Sequence, residues 1–244
     1  MKIEFHVTDW AAWAPGLHSR EDWLAWARAP FPPFGDGTPA LSEVPAMQRR
    51  RIDRLGRMAI QSAYWCQQAE QAGIPFVFAS RHGDVACSVE LLQSLSRQET
   101  LSPTSFGLSV HNAIAALYSI VRGERGNYTA LAGGAGTTPA ALVEAAGLLA
   151  DGADEVLVVM YDAALPTVYE DFRDEPDPFH AWCWKVAAHG QGPGLQLSCG
   201  PAQGGEPDRG DLPRGLEVLH FLLAEQPELR QRADSVDWIW RRAG

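Results

Sequence analysis

Residues 127–161 read NYTALAGGAGTTPAALVEAAGLLADGADEVLVVMY, and this stretch decides the fold. Residues 127–132 suit a short strand, and the glycine-rich turn GGAG joins that strand to a helix at 140–150 with almost no polar face. Residues 155–161 form an unbroken apolar run, which is typical of a strand buried on both faces. Strand, helix and strand at this spacing predict a βαβ unit with parallel strands, and therefore an α/β fold.

Further strands and helices are predicted around this unit. Apolar patterns indicate strands at residues 2–8, 74–79, 181–188 and 195–199, the last two as a pair around a turn at 190–194. Helical spacing of apolar residues predicts helices at 45–71, 85–97, 109–121 and 216–224. Proline, glycine and aspartate indicate loops at 30–45 and 200–214, and a short segment at 236–240 completes the pattern.

The composition is that of a globular protein. The chain has 244 residues, of which 46% are hydrophobic, enough for a substantial core in one or two domains. An excess of 30 acidic over 20 basic residues argues against a broad nucleic-acid surface, because such a surface must neutralise phosphates. The four cysteines show no CxxC spacing, no signal peptide is recognisable, and no apolar run approaches the roughly 20 residues that cross a bilayer. We therefore predict a cytoplasmic protein without a membrane span.

The turn Gly133-Gly134-Ala135-Gly136 lies where an α/β protein can present a nucleophile above a helix N-terminus. The side chain offered here is that of Ala135, which has no heteroatom. The glycines lack the G-x-G-x-x-G spacing, and no G-x-S-x-G occurs, so neither a dinucleotide site nor a serine hydrolase is indicated. Close packing of small residues explains this turn without any chemistry.

Seven histidines are scattered singly, and none forms the i, i+4 pair of a helical zinc site. We predict neither a metal nor a cofactor. His82 follows a predicted buried strand and is the histidine best placed for a site, but a structural role is favoured for it, with a chemical role as the alternative. For His111, within an apolar helical pattern, we expect a packing role.

Two further patterns allow a functional and a structural interpretation. Five arginines fall within nine residues of one predicted helix, at positions 49, 50, 51, 54 and 57. They form either a solvated helix face or a docking site for a small acidic partner. Tryptophan pairs at 182/184 and 238/240 have strand periodicity, which favours burial in the core or at a subunit contact over ligand stacking.

Several of these motifs together resemble the N-terminal half of β-ketoacyl synthases. They are RRRIDRLGRMA at 49–59, Ser102-Pro103, SVHNAIA at 109–115, Ser119-Ile120 with Gly123, the glycine elbow with its buried helix, and Gly152-Ala153-Asp154 before the last strand. The resemblance covers roughly residues 44–165. The flanks resemble short ketoacyl-synthase-like proteins, often called chain length factors, of aryl-polyene clusters. The resemblance implies a thiolase-like fold, with a layered mixed sheet and a buried central helix.

The resemblance also places the catalytic groups of an active member. Such a member carries a cysteine at the elbow, and that position falls on Ala135 here, while a slip of one residue to Gly134 would change nothing chemically. Two catalytic histidines come from a second half of the fold, which the sequence after Leu165 does not resemble; His189 is only a faint echo. We expect a single domain over 1–244, in which 166–244 form a divergent extension of a core at 44–165.

A non-catalytic subunit that pairs with an active ketosynthase is the leading hypothesis, because the nucleophile is missing. The resemblance puts residues 127–132 at the subunit contact, and a half-fold alone would leave an exposed face. We expect the interface and acyl tunnel to involve Phe106, Asn112, Tyr128, Thr129 and Leu131. We expect Arg50 and Arg54 to dock the acyl carrier protein that holds the chain on phosphopantetheine.

Two alternatives stay open. One is a cysteine-independent decarboxylase of malonyl carrier protein, for which Thr137 and His82 are the candidate polar groups. The other is a homodimeric binding protein for acyl chains or carrier protein. It differs from the leading hypothesis only in its partner.

Overall fold

The computed structural model describes residues 1–67, 72–204 and 210–243. The strands are β1 (Lys2–Trp13), β2 (Phe76–Ala79), β3 (Tyr128–Leu131), β4 (Val156–Asp162), β5 (His180–Ala187), β6 (Gly194–Pro201), β7 (Glu228–Ala233) and β8 (Val236–Arg242). The helices are α1 (Arg20–Trp26), α2 (Ala46–Arg49), α3 (Arg54–Cys66), α4 (Val85–Ser96), α5 (Pro103–Leu108), α6 (Ala113–Arg122), α7 (Thr137–Ala150) and α8 (Arg214–Leu223). Short 3₁₀ turns lie at Gly134–Gly136 and Thr167–Phe172.

All eight strands form one mixed sheet in the order β3-β2-β4-β5-β1-β6-β8-β7. β2 pairs in parallel with β3 on one side and with β4 on the other. The predicted β3–α7–β4 unit with parallel strands is therefore confirmed, and β2 lies between its two strands. This α/β architecture with a mixed sheet agrees with the predicted fold class. One sheet joins residues 44–165 to the rest of the described chain, while the division into domains stays a prediction.

The pairing predicted for 181–188 with 195–199 is wrong. Both strands exist, but β1 lies between β5 and β6 and pairs antiparallel with each. A shift of register between Val7 and Asp9 lets the long β1 strand serve both neighbours. Pairing across the chain from the N-terminus has no local sequence signal. The sequence patterns also gave no prediction for β7, whose alternation of charged and apolar residues is short.

Two hydrophobic cores lie on opposite faces of the sheet. One contains buried side chains of α1, α7 and α8 with alternate residues of β4, β5 and β6. The other contains α3 and α6 with the opposite residues of β2 and β4. Trp182 and Trp184 pack against each other in the first core with ring centroids 4.7 Å apart, which confirms the burial predicted for that pair. Strands β2, β4 and β5 are buried on both faces.

The helix predicted at 45–71 is two helices, and residues 68–71 lie outside the described part. Ile52 turns into the core between them, and the Asp53 carboxylate caps α3 by accepting from the Gly56 amide at 2.7 Å. The helix predicted at 109–121 begins later, at Ala113, and the sequence patterns did not predict α5. No helix in the three described ranges is long and apolar enough to cross a membrane.

Candidate functional site

Three parallel strands end at the same edge of the sheet, which is where α/β proteins commonly place their sites. The elbow at residues 133–136 follows β3, the loop Ser80-Arg81-His82-Gly83-Asp84 follows β2, and Asp162 ends β4. Antiparallel β5 begins at this edge with His180, opposite Asp162. The elbow and a group of polar side chains therefore share one end of the molecule.

Hydrogen bonds within the elbow fix its geometry. The Gly136 amide donates to the Gly133 carbonyl at 2.9 Å, and Gly134 adopts a φ of +54°, which favours glycine. The Thr137 hydroxyl accepts from the Gly133 amide at 3.0 Å and donates to the Gly134 carbonyl at 2.8 Å. Thr137 is therefore fully engaged in holding the turn. Ala135 is half-buried at the tip and offers only a methyl group.

The C-terminal hairpin covers one side of the elbow. A Cβ atom added to Gly136 would lie 3.4 Å from the Ala233 side chain and 3.6 Å from the indole nitrogen of Trp238. Ala233 ends β7 and Trp238 lies on β8, so this contact brings the last strands of the chain to the elbow. Ala132, Gly133 and Gly134 are exposed on the other side, beside β3.

None of the four cysteines lies within the elbow at residues 133–136. Cys66 and Cys183 are buried together in the core under α3, where the Cys66 thiol lies 3.4 Å from the Cys183 carbonyl oxygen. Burial raises the pKa of the Cys183 thiol. Cys87 lies on α4, and burial together with the charge of Asp84 raises its thiol pKa. Cys199 lies on β6, directly opposite Trp238 of β8. The tip of the elbow itself is Ala135 and carries no thiol to attack an acyl group.

A buried ionic cluster occupies the loop after β2. The Asp162 carboxylate accepts from the Ser80 hydroxyl at 2.8 Å and from the Arg81 amide at 2.9 Å. Burial raises the pKa of Asp162 to about 7, although these two hydrogen bonds partly offset the effect.

The Arg81 side chain extends from the same loop to two acids of the segment before β5. Its guanidinium pairs with Glu175 at 2.8 Å and with Asp174 at 2.9 Å, and Arg214 also pairs with Glu175 at 2.7 Å. Burial by itself would raise the pKa of the Asp174 carboxyl group, but the positive charges of Arg81 and Arg214 bring the pKa below its ordinary value. These pairs hold the irregular segment against the sheet.

Three histidines of this region differ in their roles. The His111 imidazole lies 3.0 Å from the Ser80 carbonyl oxygen through Nε2, which is the packing role predicted for it, although it precedes α6 rather than lying inside the helix. His82 is half-buried, and burial together with the charge of Arg81 lowers the pKa of its imidazole. His180 is fully buried with Nδ1 2.9 Å from the Pro178 carbonyl oxygen.

Three of the five arginines at 49–57 are partly buried and donate to backbone carbonyls of their own chain. Arg57 donates to the carbonyls of Ile52 and Arg49, and Arg49 donates to that of Leu41. The Arg54 guanidinium lies 3.7 Å over the Phe179 ring and donates to the Gly35 carbonyl at 2.6 Å. These three side chains tie loops to the helices, and the docking role of Arg54 stays a prediction. Arg50 is exposed, and its docking role stays a prediction.

The residues predicted for the interface lie on an open side of the molecule. Within the described chain β3 pairs only with β2, so its outer edge is free. Tyr128 on that edge stacks on Phe76 at 5.2 Å and is 38% exposed, and Thr129 and Leu131 are half-buried. Phe106 on α5 and Asn112 before α6 are exposed.

Helices α4 and α5 are also left largely uncovered. Helix α4 carries two valines and three leucines but has no buried residue, and α5 has none either. Leu92 and Leu95 are more than half exposed. Apolar helices without a core to cover are typical of a surface that a partner completes.

Two clefts flank the ionic cluster. The larger, of about 470 Å³, is bordered by Phe34, the acidic segment 174–177 and arginines of α8 and β7, which are paired with acids. The smaller, of about 220 Å³, contains His82, Asp84 and Phe179. No group of three or more metal-ligating side chains occurs in residues 1–67, 72–204 and 210–243. The sequence patterns did not identify Asp162 and Asp84 as site residues, because both are buried only by tertiary contacts.

Comparisons with known proteins agree with this geometry. Residues 23–241 match the family described as β-ketoacyl synthase, N-terminal domain. A chain in the structure of the ketosynthase ApeO in complex with its chain length factor ApeC, from Xenorhabdus doucetiae, is 28% identical, with a TM-score of 0.82. The alignment covers 98% of this chain and 100% of that one.

More distant structures share the fold. The ishigamide ketosynthase/chain length factor is 17% identical with a TM-score of 0.65, over 81% of this chain and 67% of that one. A β-ketoacyl synthase from Burkholderia phymatum STM815 is 13% identical with a TM-score of 0.59, over 82% and 65%. No protein of curated function matches the sequence significantly. The fold is the thiolase-like ketosynthase fold, and the chain belongs to the β-ketoacyl synthase N-terminal domain family.

Proposed function

We propose that this protein is a non-catalytic ketosynthase-like subunit, a chain length factor. It pairs with an active ketosynthase and shapes the tunnel in which an acyl chain grows on acyl carrier protein. The observation that carries the proposal is Ala135 at the tip of an otherwise intact elbow. The relative at 28% identity, found in a complex of a ketosynthase with its chain length factor, supports the same role.

The elbow of this chain cannot perform the covalent step of a condensation. Loss of the attacking group from a covalent mechanism typically costs several orders of magnitude in rate. The neighbouring Thr137 hydroxyl is held by two backbone hydrogen bonds and cannot take over. This engagement also removes one of the two polar groups on which a cysteine-independent decarboxylase would depend, and His82 is the one that remains.

The partner face is the surface formed by the outer edge of β3 together with α4 and α5. It combines unpaired backbone groups with apolar side chains, and both need a partner to be satisfied. Phe106 is 64% exposed on α5, and Asn112 follows on the way to α6. In the proposed heterodimer these side chains border the acyl tunnel, and Tyr128, Thr129 and Leu131 lie at the contact.

The finer parts of the proposal rest on the sequence resemblance. They are a role in aryl-polyene synthesis, growth of the chain on phosphopantetheine of an acyl carrier protein, docking of that carrier at Arg50, and a cytoplasmic location. Arg50 is exposed, so its positive charge is available to attract a carrier protein, and this supports the docking step.

Co-expression of this chain with a ketosynthase from the same organism tests the proposal. We expect the two proteins to co-elute in size-exclusion chromatography as a 1:1 complex. Phe106→Asp on the partner face should abolish co-elution, because it puts a charge into a desolvated contact. Phe172→Asp is the matched control, since Phe172 is 69% exposed outside that face, and it should bind like the wild type.

Failure of the wild-type chain to co-elute would refute the ketosynthase partner. Formation of a stable homodimer instead would favour the acyl- or carrier-binding protein. Incubation of the pure chain with malonyl carrier protein tests the decarboxylase, and an acetyl product in the mass spectrum would support it.

A further inference from the structure

Glu144 is the one charged residue of α7, whose only other polar side chains are those of Thr137 and Thr138 in its first turn. It is half-buried, and its carboxylate accepts a hydrogen bond of 3.0 Å from the Thr129 hydroxyl on β3. In the described residues it forms no ion pair. A Cβ atom added to Gly147, one turn further along, would meet nothing within 4 Å, so this side of α7 is uncovered.

The two edges of the sheet differ in a way that concerns Glu144. β7, at one edge, carries Glu228, Arg230 and Arg232, and charged side chains protect an edge from pairing with another chain. β3, at the other edge, has the uncharged sequence YTAL. The edge beside Glu144 is therefore the one suited to accept a further strand.

A second copy of this chain at that edge would bring two Glu144 side chains together. An antiparallel pair with a two-fold axis perpendicular to the sheet keeps equivalent residues on the same face. Thr129 would then lie directly opposite its copy or diagonal to it, about 5 or about 7–8 Å away. Because each Glu144 carboxylate is held by its own Thr129, two negative charges would meet above the new strand pair. Like charges so placed are unfavourable.

We propose that Glu144 selects the partner of this chain. It disfavours a second copy and favours a ketosynthase whose strand continues β3 and whose facing side chain is an arginine or lysine. The inference rests on the proposed function, since it takes the ketosynthase as the occupant of the edge. Opposing charge at this one position thus provides both attraction to the heterologous partner and repulsion of the identical one.

Three variants test this role. Glu144→Gln keeps the acceptor for Thr129 and removes the charge, and Glu144→Arg reverses the charge. Asp154→Arg is the control, because Asp154 is an exposed acid that follows the C-terminal end of α7. We expect Glu144→Arg to weaken ketosynthase binding about tenfold or more. We expect Glu144→Gln to dimerise in sedimentation velocity at concentrations where the wild type is a monomer, and Asp154→Arg to behave as wild type in both assays.

Circular dichroism establishes whether each variant is folded. If Glu144→Arg does not fold, the self-association of Glu144→Gln decides the test. The inference is overturned if folded Glu144→Arg binds ketosynthase as tightly as Asp154→Arg, or if Glu144→Gln self-associates no more than the wild type. A wild-type chain that forms a homodimer by itself would overturn it as well. If wild type and Asp154→Arg both fail to bind ketosynthase, the proposed function fails, and self-association of Glu144→Gln still reports on the second copy.

Discussion

Ala135 and Asp162 show what single positions of the sequence can and cannot indicate. The elbow was predictable because its signal is local: glycines between a short strand and an apolar helix require a tight turn, and the residue at its tip can be identified directly. Asp162 and Asp84 carry no such signal. Their chemistry depends on burial by segments far away in the chain, and only the fold brings those segments together.

Asp84 makes the stability of the protein depend on pH. Burial, and secondarily the charge of Asp53, raises its pKa to about 6, against 3.8 for a free aspartate. A carboxyl group with a raised folded-state pKa costs stability as the pH rises through about 4 to 6.

Asp84→Asn should therefore stabilise the protein by about 1–2 kcal/mol at pH 7.5 and leave it unchanged near pH 4, because asparagine also caps α4 at the Cys87 amide. Urea unfolding at the two pH values measures this, with exposed Asp154→Asn as control. A gain of equal size at both would contradict the assignment.

Elements whose burial pattern is continuous in sequence were predicted well, and those set by tertiary contacts were not. β2, β4, α4, α7 and α8 lie near their predicted positions, because an apolar run or a helical stripe defines each. The break between α2 and α3 depends on Ile52 entering the core. The insertion of β1 between β5 and β6 depends on pairs such as Trp13 with Ala181 and Lys2 with Ser198, which are far apart in the sequence. Neither has a counterpart in local propensity.

Arg57 stabilises the break between α2 and α3. Its Nε donates to the Ile52 carbonyl at 2.9 Å, and its Nη2 donates at 3.1 Å to the Arg49 carbonyl, which also accepts from the Ile52 amide. Arg57→Ala should lower the free energy of unfolding by about 1–2 kcal/mol. Arg50→Ala should change it by less than about 0.5 kcal/mol, because Arg50 is exposed. Equal urea midpoints for the two variants would show that the capping contacts contribute nothing.

At the scale of the whole molecule, the two edges of the sheet differ in how well they are protected. Both faces of the sheet are covered by helices, and the β7 edge is charged. The β3 edge and the α4–α5 segment lack comparable cover. The sequence resemblance predicted a partner contact at 127–132, and the structure adds α4 to the proposed partner face. Apolar spacing in the sequence could not show this, because it is the same for a helix buried in its own chain and for one buried by a partner.

Amide hydrogen exchange should reveal this asymmetry directly. Helices α4 and α5 have no buried side chains, so they can open locally at little cost, whereas α8 buries Leu216 and Leu219 completely. In the free chain we expect residues 85–108 to exchange much faster than 214–223. Addition of the ketosynthase should slow exchange in 85–108 and in 128–131, where a new strand would pair, and leave 214–223 unchanged. Protection of α4 and α5 that is already high in the free chain, or that the ketosynthase does not alter, would place the partner elsewhere on the molecule.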